Sequence, residues 1–141
     1  MLQIRNIKDN KEEYINLLKI KNFDASKLFD LVIALDDERK STQKTNDELL
    51  TEANKLSVQI GDMYKSGNKD QVTQLKEKSL KIKDQSKSLQ QKQSVLEEKI
   101  RQILIQIPNI PHKSVTKGKS DADNIIIKES GLIPKLFKDA K

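Results

Sequence analysis

Leu28-Phe29-Asp30-Leu31-Val32-Ile33-Ala34-Leu35-Asp36-Asp37-Glu38-Arg39 opens the stretch that decides the fold. From Leu28 the chain alternates steps of four and three through Val32, Leu35, Arg39, Thr42, Asn46, Leu49, Ala53, Leu56, Ile60 and Met63. That spacing keeps one narrow stripe along a helix, the seam of a coiled coil. The pattern pauses at Ser66-Gly67-Asn68, a turn-forming cluster. It restarts at Val72 and runs through Leu75, Ser79, Ile82, Ser86, Leu89, Gln93, Leu96, Ile100, Ile103 and Ile107. Pro108 then ends it, because proline lacks the amide that would continue the helix. Two such helices joined by a few residues fold back on each other. The expected fold is all-α: a long antiparallel two-helix coiled-coil hairpin with arms at about 24–65 and 69–107. At about 36 residues per arm the rod is on the order of 54 Å long.

Pairing Met63 with Val72 sets a register. Ile60 then meets Leu75, Ala53 meets Ile82, Leu35 meets Ile100 and Val32 meets Ile103. Thr42 falls opposite Gln93, which places two polar residues in one layer and spares an apolar partner. Asn46 is expected to face Leu89, and Leu49 to face Ser86. Gly61 softens the helix near the tip, by about 1 kcal/mol relative to alanine.

Outside the hairpin the signals are shorter. Asn10 has the form of an N-cap, with Glu13 three residues on completing a capping box. A short helix is expected over 11–21, with Tyr14, Leu17 and Leu18 on its apolar face. Asp24 is expected to cap the long helix. Beyond Pro108, Asn109 to Val115 is expected to be extended, since a residue before proline avoids the helical region. Gly118 to Asn124 reads as a polar loop and Ile125-Ile126-Ile127 as a short buried strand. Gly131 to Lys141, with Pro134, has the character of a linker. The expected organisation is a helical arm over 1–107 and an extended linker over 108–141.

Composition narrows the chemistry. Hydrophobic residues are 35% and charged residues 34% of the 141, too little apolar material for a thick core but enough for a seam. With no cysteine, disulfides, thiolate metal sites and thiol nucleophiles are excluded. His112 is the single histidine, so neither a histidine metal cluster nor a Ser-His-Asp triad is possible. A structural role in its proline-bounded segment is the expectation for His112. Asp36, Asp37 and Glu38 are consecutive on a helix and do not converge on one face. No apolar run approaches a membrane span, the N-terminus lacks signal-peptide form, and a cytoplasmic location is expected. No catalytic constellation and no phosphate-binding glycine loop stands out.

The formal net charge of +6 favours a polyanionic partner. It is unevenly spread. The 24–65 arm has nine acidic and six basic residues, whereas the 69–107 arm has five acidic and nine basic. On one flank of the seam Glu38 and Glu52 are placed to pair with Lys78, Lys92 or Lys99. On the other, Lys76 and Lys83 look across at Tyr64, Ser57, Leu50 and Gln43, none of which neutralises them. A phosphate backbone along that flank would meet unpaired cations and one aromatic ring. The candidate contacts are Lys76, Lys83, Lys65, Lys69, Tyr64, Lys55 and Lys87. Set against this, lysines on exposed helices often serve solubility alone.

Ile107-Pro108-Asn109-Ile110-Pro111-His112-Lys113-Ser114-Val115, followed by Gly118 and Asp123-Asn124, closely resembles a signature of seryl-tRNA synthetases. Met1-Leu2 with Ile4-Arg5, Phe23-Asp24, Leu35 to Arg39, and Leu56-Ser57 with Ile60-Gly61 also resemble that family's N-terminal arm. The likeness covers roughly residues 1–127; Thr116 departs from it, standing where the family usually has proline. The resemblance implies an arm that docks the long variable arm and elbow of serine tRNA through backbone and shape. It implies that catalysis, with ATP and magnesium, belongs to a catalytic domain the chain does not contain. These residues are thus expected to hold no cofactor and to dock without catalysing. The arm alone is expected to be a monomer, the full enzyme a homodimer, and no membrane partner is expected. The competing reading is a coiled-coil protein-interaction arm of prefoldin-like, chaperone character. It would rest on the weak seam and on Ile60 and Met63 near the tip.

Overall fold

The computed structural model describes residues 2–65, 69–118, 120–126, 128, 130 and 131, without the side chains of residues 69, 70 and 121. The expected turn at Ser66-Gly67-Asn68, Ile127 and the stretch from residue 132 onward lie outside the described residues. The elements are α1 (Ile4–Asp9), α2 (Lys11–Ile20), α3 (Ser26–Lys65), α4 (Lys69–Gln106) and one 3-10 turn at Asp121–Asp123. The fold is all-helical, with α3 and α4 packed against each other along their length. At 40 and 38 residues these helices are on the order of 60 Å long.

Every seam position in both arms is buried or half-buried, and away from the base most residues between them are exposed. Val72, Ile82, Leu96 and Ile100 of α4 and Val32 and Leu56 of α3 are buried. The middle layers differ from the expected register. Ser86 Oγ donates to Asn46 Oδ1 at 2.7 Å, with both residues buried. Asn46 therefore does not simply face Leu89, nor Ser86 Leu49; the two polar groups satisfy each other across the seam, as low dielectric demands. Gln93, expected to share a polar layer with Thr42, turns its amide to Glu97 on its own helix at 3.0 Å.

The thick part of the core lies at the base. Ile7, Leu18, Ala25, Phe29 and Val32 have no exposed surface, and they pack with Ile100, Leu104 and Ile107. Phe29 and Leu104 are not seam residues; they lie on the same flank of the rod as Lys76 and Lys83. They are buried because α1 and α2 cover that flank at its base. α1 was not foreseen: its six residues carry one buried apolar side chain, Ile7, too few for a visible period.

Local capping explains the corners. Asn10 ends α1 and begins α2, but its Nδ2 donates back to Asn6 O at 3.2 Å and makes no side-chain cap for α2. The expected capping box with Glu13 is thus not formed; Glu12 and Glu13 still sit favourably in the first turn. α2 ends in a Schellman turn: Phe23 N donates to Leu18 O at 3.1 Å and Asn22 N to Lys19 O at 3.0 Å. Asn22 takes the left-handed conformation this requires, with φ 55°. Asp24 Oδ1 accepts from Ser26 N at 3.0 Å and Ser26 Oγ at 2.6 Å, and α3 starts there. The strand expected at Ile125-Ile126-Ile127 is overturned: Ile125 and Ile126 are in irregular backbone and are 66% and 71% exposed. No neighbouring strand is present among the described residues, and a lone strand has no ladder to join.

Candidate nucleic-acid interface

The hairpin has two unlike flanks. On one, Lys92 Nζ lies 2.7 Å from Glu38 Oε1 and Lys78 Nζ lies 2.6 Å from Glu52 Oε1. Lys92 holds the Glu38 carboxyl below its ordinary range. Both pairs are about half exposed, so each contributes only a few tenths of a kcal/mol. Their consequence is that Lys78 and Lys92 are each neutralised by a glutamate.

The opposite flank is not neutralised. Lys83 and Lys87 are exposed and make no ion pair among the described residues. They align with Lys76 along one side of α4, because residues 76, 83 and 87 recur at helical spacing. Lys76 meets the Tyr64 that heptad spacing sets across from it: its Nζ donates to Tyr64 Oη and stands 5.0 Å from the ring centroid. Tyr64 is 57% exposed, so its ring is held by its own lysine and still faces solvent. Leu80, also on this side, is exposed. The acids of the flank, Asp47 and Glu97, lie toward the base and accept from Gln43 at 2.8 Å and Gln93 at 3.0 Å. The basic stretch is therefore confined to the outer half of the rod.

The remaining candidates scatter. Lys65 is exposed at the end of α3. Lys55 lies on the outward strip of α3 with Lys44, Glu48 and Thr51, away from Lys76 and Lys83. Lys69 begins α4, but its side chain lies outside those described. The structure thus brings together Tyr64, Lys76, Lys83 and Lys87 and leaves Lys55 apart.

At the base the same flank holds a charge cluster. Asp36 is 2% exposed. Its carboxylate lies 2.9 Å from Arg39, 2.8 Å from Lys40 and 3.4 Å from Lys8. Burial pushes the Asp36 carboxyl up, but Lys40, Arg39 and Lys8 together overcome it and hold it down at about 2. Lys8 also binds Asp37, which raises the Lys8 ammonium above its ordinary value, and Lys11 binds Asp30. These contacts fasten α1 and α2 to α3. Arg39, a cation at a seam position, is neutralised here. Sequence spacing alone did not show this cluster, because Asp36 looks like any flank acid until α1 covers it.

Other chemistry finds no foothold among the described residues. No group of three or more His, Cys, Asp or Glu stands in metal-binding arrangement. His112 is exposed, and its Nδ1 engages Ser114 Oγ at 2.9 Å and Ser114 N at 3.3 Å within its own turn. Among the described residues no helix is long and apolar enough to cross a membrane.

A two-helix rod with one acid-matched flank and one basic flank, docked at its base on a small helical cap, defines a coiled-coil arm domain. The model of the seryl-tRNA synthetase N-terminal domain matches residues 1–111, and the chain belongs to that family. The serine–tRNA ligase of Leptospira biflexa is 30% identical over 141 residues, which is all of this chain and 33% of the relative. The serine–tRNA ligase of Kosmotoga olearia is 36% identical over 131 residues, 93% of this chain and 31% of the relative. A crystal structure of seryl-tRNA synthetase from Pyrococcus horikoshii complexed with ATP superposes with a TM-score of 0.77 at 34% identity, over 89% of this chain and 28% of that one. The chain spans about a third of the length of the curated relatives it matches.

Proposed function

We propose that this domain docks serine tRNA, laying the outer half of its basic flank along the phosphate backbone of the long variable arm. The observation that carries this is the contrast between flanks: Lys78 and Lys92 are matched by glutamates, while Lys83 and Lys87 are not. A helical rod with spaced ammonium groups suits recognition of backbone and shape, as double-helical RNA requires. Lys76 with Tyr64 supplies a prearranged cation and an exposed ring at the outer end. Lys65, exposed at the end of α3, extends the charge toward the tip.

On this reading residues 1–107 are the arm and 108–141 lead toward a catalytic domain in which serine, ATP and magnesium are handled. On this reading no step of aminoacylation falls to the arm. The whole enzyme acts as a cytoplasmic homodimer, the arm serving as its docking limb. A chaperone-like arm is less well supported: Ile60 and Met63 are half-buried in the seam and offer little client-binding surface. Binding to serine tRNA, with and without its variable arm, over a salt series tests the proposal. Loss of affinity on removing the variable arm, with a steep salt dependence, supports it; equal affinity for both RNAs overturns it.

A further inference from the structure

The chain leaves α4 and runs back across the end of α2. Lys21 Nζ donates to Asn109 O at 2.8 Å, and its neighbour Asn22 donates from Nδ2 to Gly118 O at 3.1 Å. Two adjacent residues therefore hold both ends of the 109–118 segment, as in a loop whose ends are pinned together. The two ends are not equally secure. The near end is also held by burial, since Ile107 and Pro111 are buried and Ile110 packs on the core. The far end is exposed from His112 to Lys117, with an exposed ion pair of 3.8 Å between Lys113 and Glu13. An open cleft separates Val115, Thr116, Ser120 and Asn124 from Ile20 and Lys21.

The residue types at this contact are particular. Asn22 occupies the left-handed position of the Schellman turn, where glycine is the usual choice. Asparagine tolerates that backbone and adds an amide, which here reaches Gly118. At Gly118 a Cβ would come within 2.9 Å of Asp123 Cβ, so the turn closes only on glycine. That turn is tied by Ser120 N to Asp123 Oδ2 at 3.1 Å and by Asp123 N to Ser120 O at 3.2 Å.

We propose that Asn22 is a clasp that sets the direction in which the chain leaves the arm. With the Asn22–Gly118 bond made, the segment that leaves Gly118 is tethered at the end of α2. With it broken, that segment swings free from the near anchor at Asn109 while the hairpin stays intact. The clasp thus governs how whatever follows residue 118 is oriented relative to the rod, whether or not the basic flank binds RNA.

The absence of native cysteine makes the test direct. Spin labels at Glu12→Cys and Lys128→Cys report the clasp, and labels at Glu48→Cys and Ser88→Cys report the hairpin. Asn22→Gly keeps the left-handed turn and removes the amide; Gly118→Ala leaves Asn22 and disrupts the receiving turn. Both variants are expected to broaden the 12–128 distance distribution by about twofold or more, a local opening, with the 48–88 distribution unchanged. An unchanged 12–128 width in Asn22→Gly overturns the proposal. So does broadening of both label pairs, which would mean that the hairpin itself has loosened.

Discussion

Ser86 and Asn46 are joined across the two long helices by a buried hydrogen bond of 2.7 Å, midway along the seam. Removing one partner leaves the other's polar atom buried and unsatisfied, which costs about 1–3 kcal/mol. Ser86→Ala is therefore expected to lower unfolding stability by that amount. Replacing both, as Asn46→Leu with Ser86→Ala, is expected to recover most of the loss, because no buried polar group is orphaned. Chemical denaturation of the single and double variants measures this; a double variant no more stable than Ser86→Ala would contradict it.

Asp36 gives the base a defined acid response. Its carboxyl titrates at about 2 in the folded chain against an ordinary 3.8, so the unfolded chain binds the proton more readily. Its contribution is complete above the ordinary value and is lost as pH falls from about 4 toward 2. The shift corresponds to a contribution on the order of 2 kcal/mol. Asp36→Asn is expected to destabilise the fold at neutral pH and to flatten the fall in stability between pH 4 and 2. A variant with the native acid profile would show that Lys8, Arg39 and Lys40 do not act through this carboxylate.

Gly61 lies inside α3 with open space where a Cβ would stand. Gly61→Ala is expected to stabilise the outer arm by up to about 1 kcal/mol, by restricting the unfolded chain and favouring helix. Slower amide exchange around Leu56 to Tyr64 would register it. Unchanged exchange there would mean that the outer turns of α3 are already fixed by the seam.

The hairpin was legible in the sequence because a seam is a repeated signal: each layer restates the period, and Pro108 marks its end. The two flanks were legible too, since heptad position decides which side chains meet, and Glu38–Lys92, Glu52–Lys78 and Tyr64–Lys76 meet as that logic requires. What stayed hidden depends on single contacts between elements distant in sequence. Phe29, Asp36 and Leu104 are buried only because α1 and α2 lie across them, and a six-residue helix announces itself weakly. Heptad spacing sets Asn46 and Ser86 each against an aliphatic neighbour, but the two polar groups pair with each other across the seam. Ile125 and Ile126 are apolar and so predict burial; nothing among the described residues covers them.

The proposed docking rests on one flank of the rod and not on its overall basicity. It is tested most directly by comparing two charge-matched double variants for binding to serine tRNA across a salt series, with helicity monitored in parallel. Lys83→Gln with Lys87→Gln is expected to weaken binding by tenfold or more and to reduce the salt slope by about two units, one per lost phosphate contact. Lys78→Gln with Lys92→Gln, on the glutamate-matched flank, is expected to leave both nearly unchanged. Equal losses from the two flanks, or no loss from Lys83 and Lys87, would contradict the account.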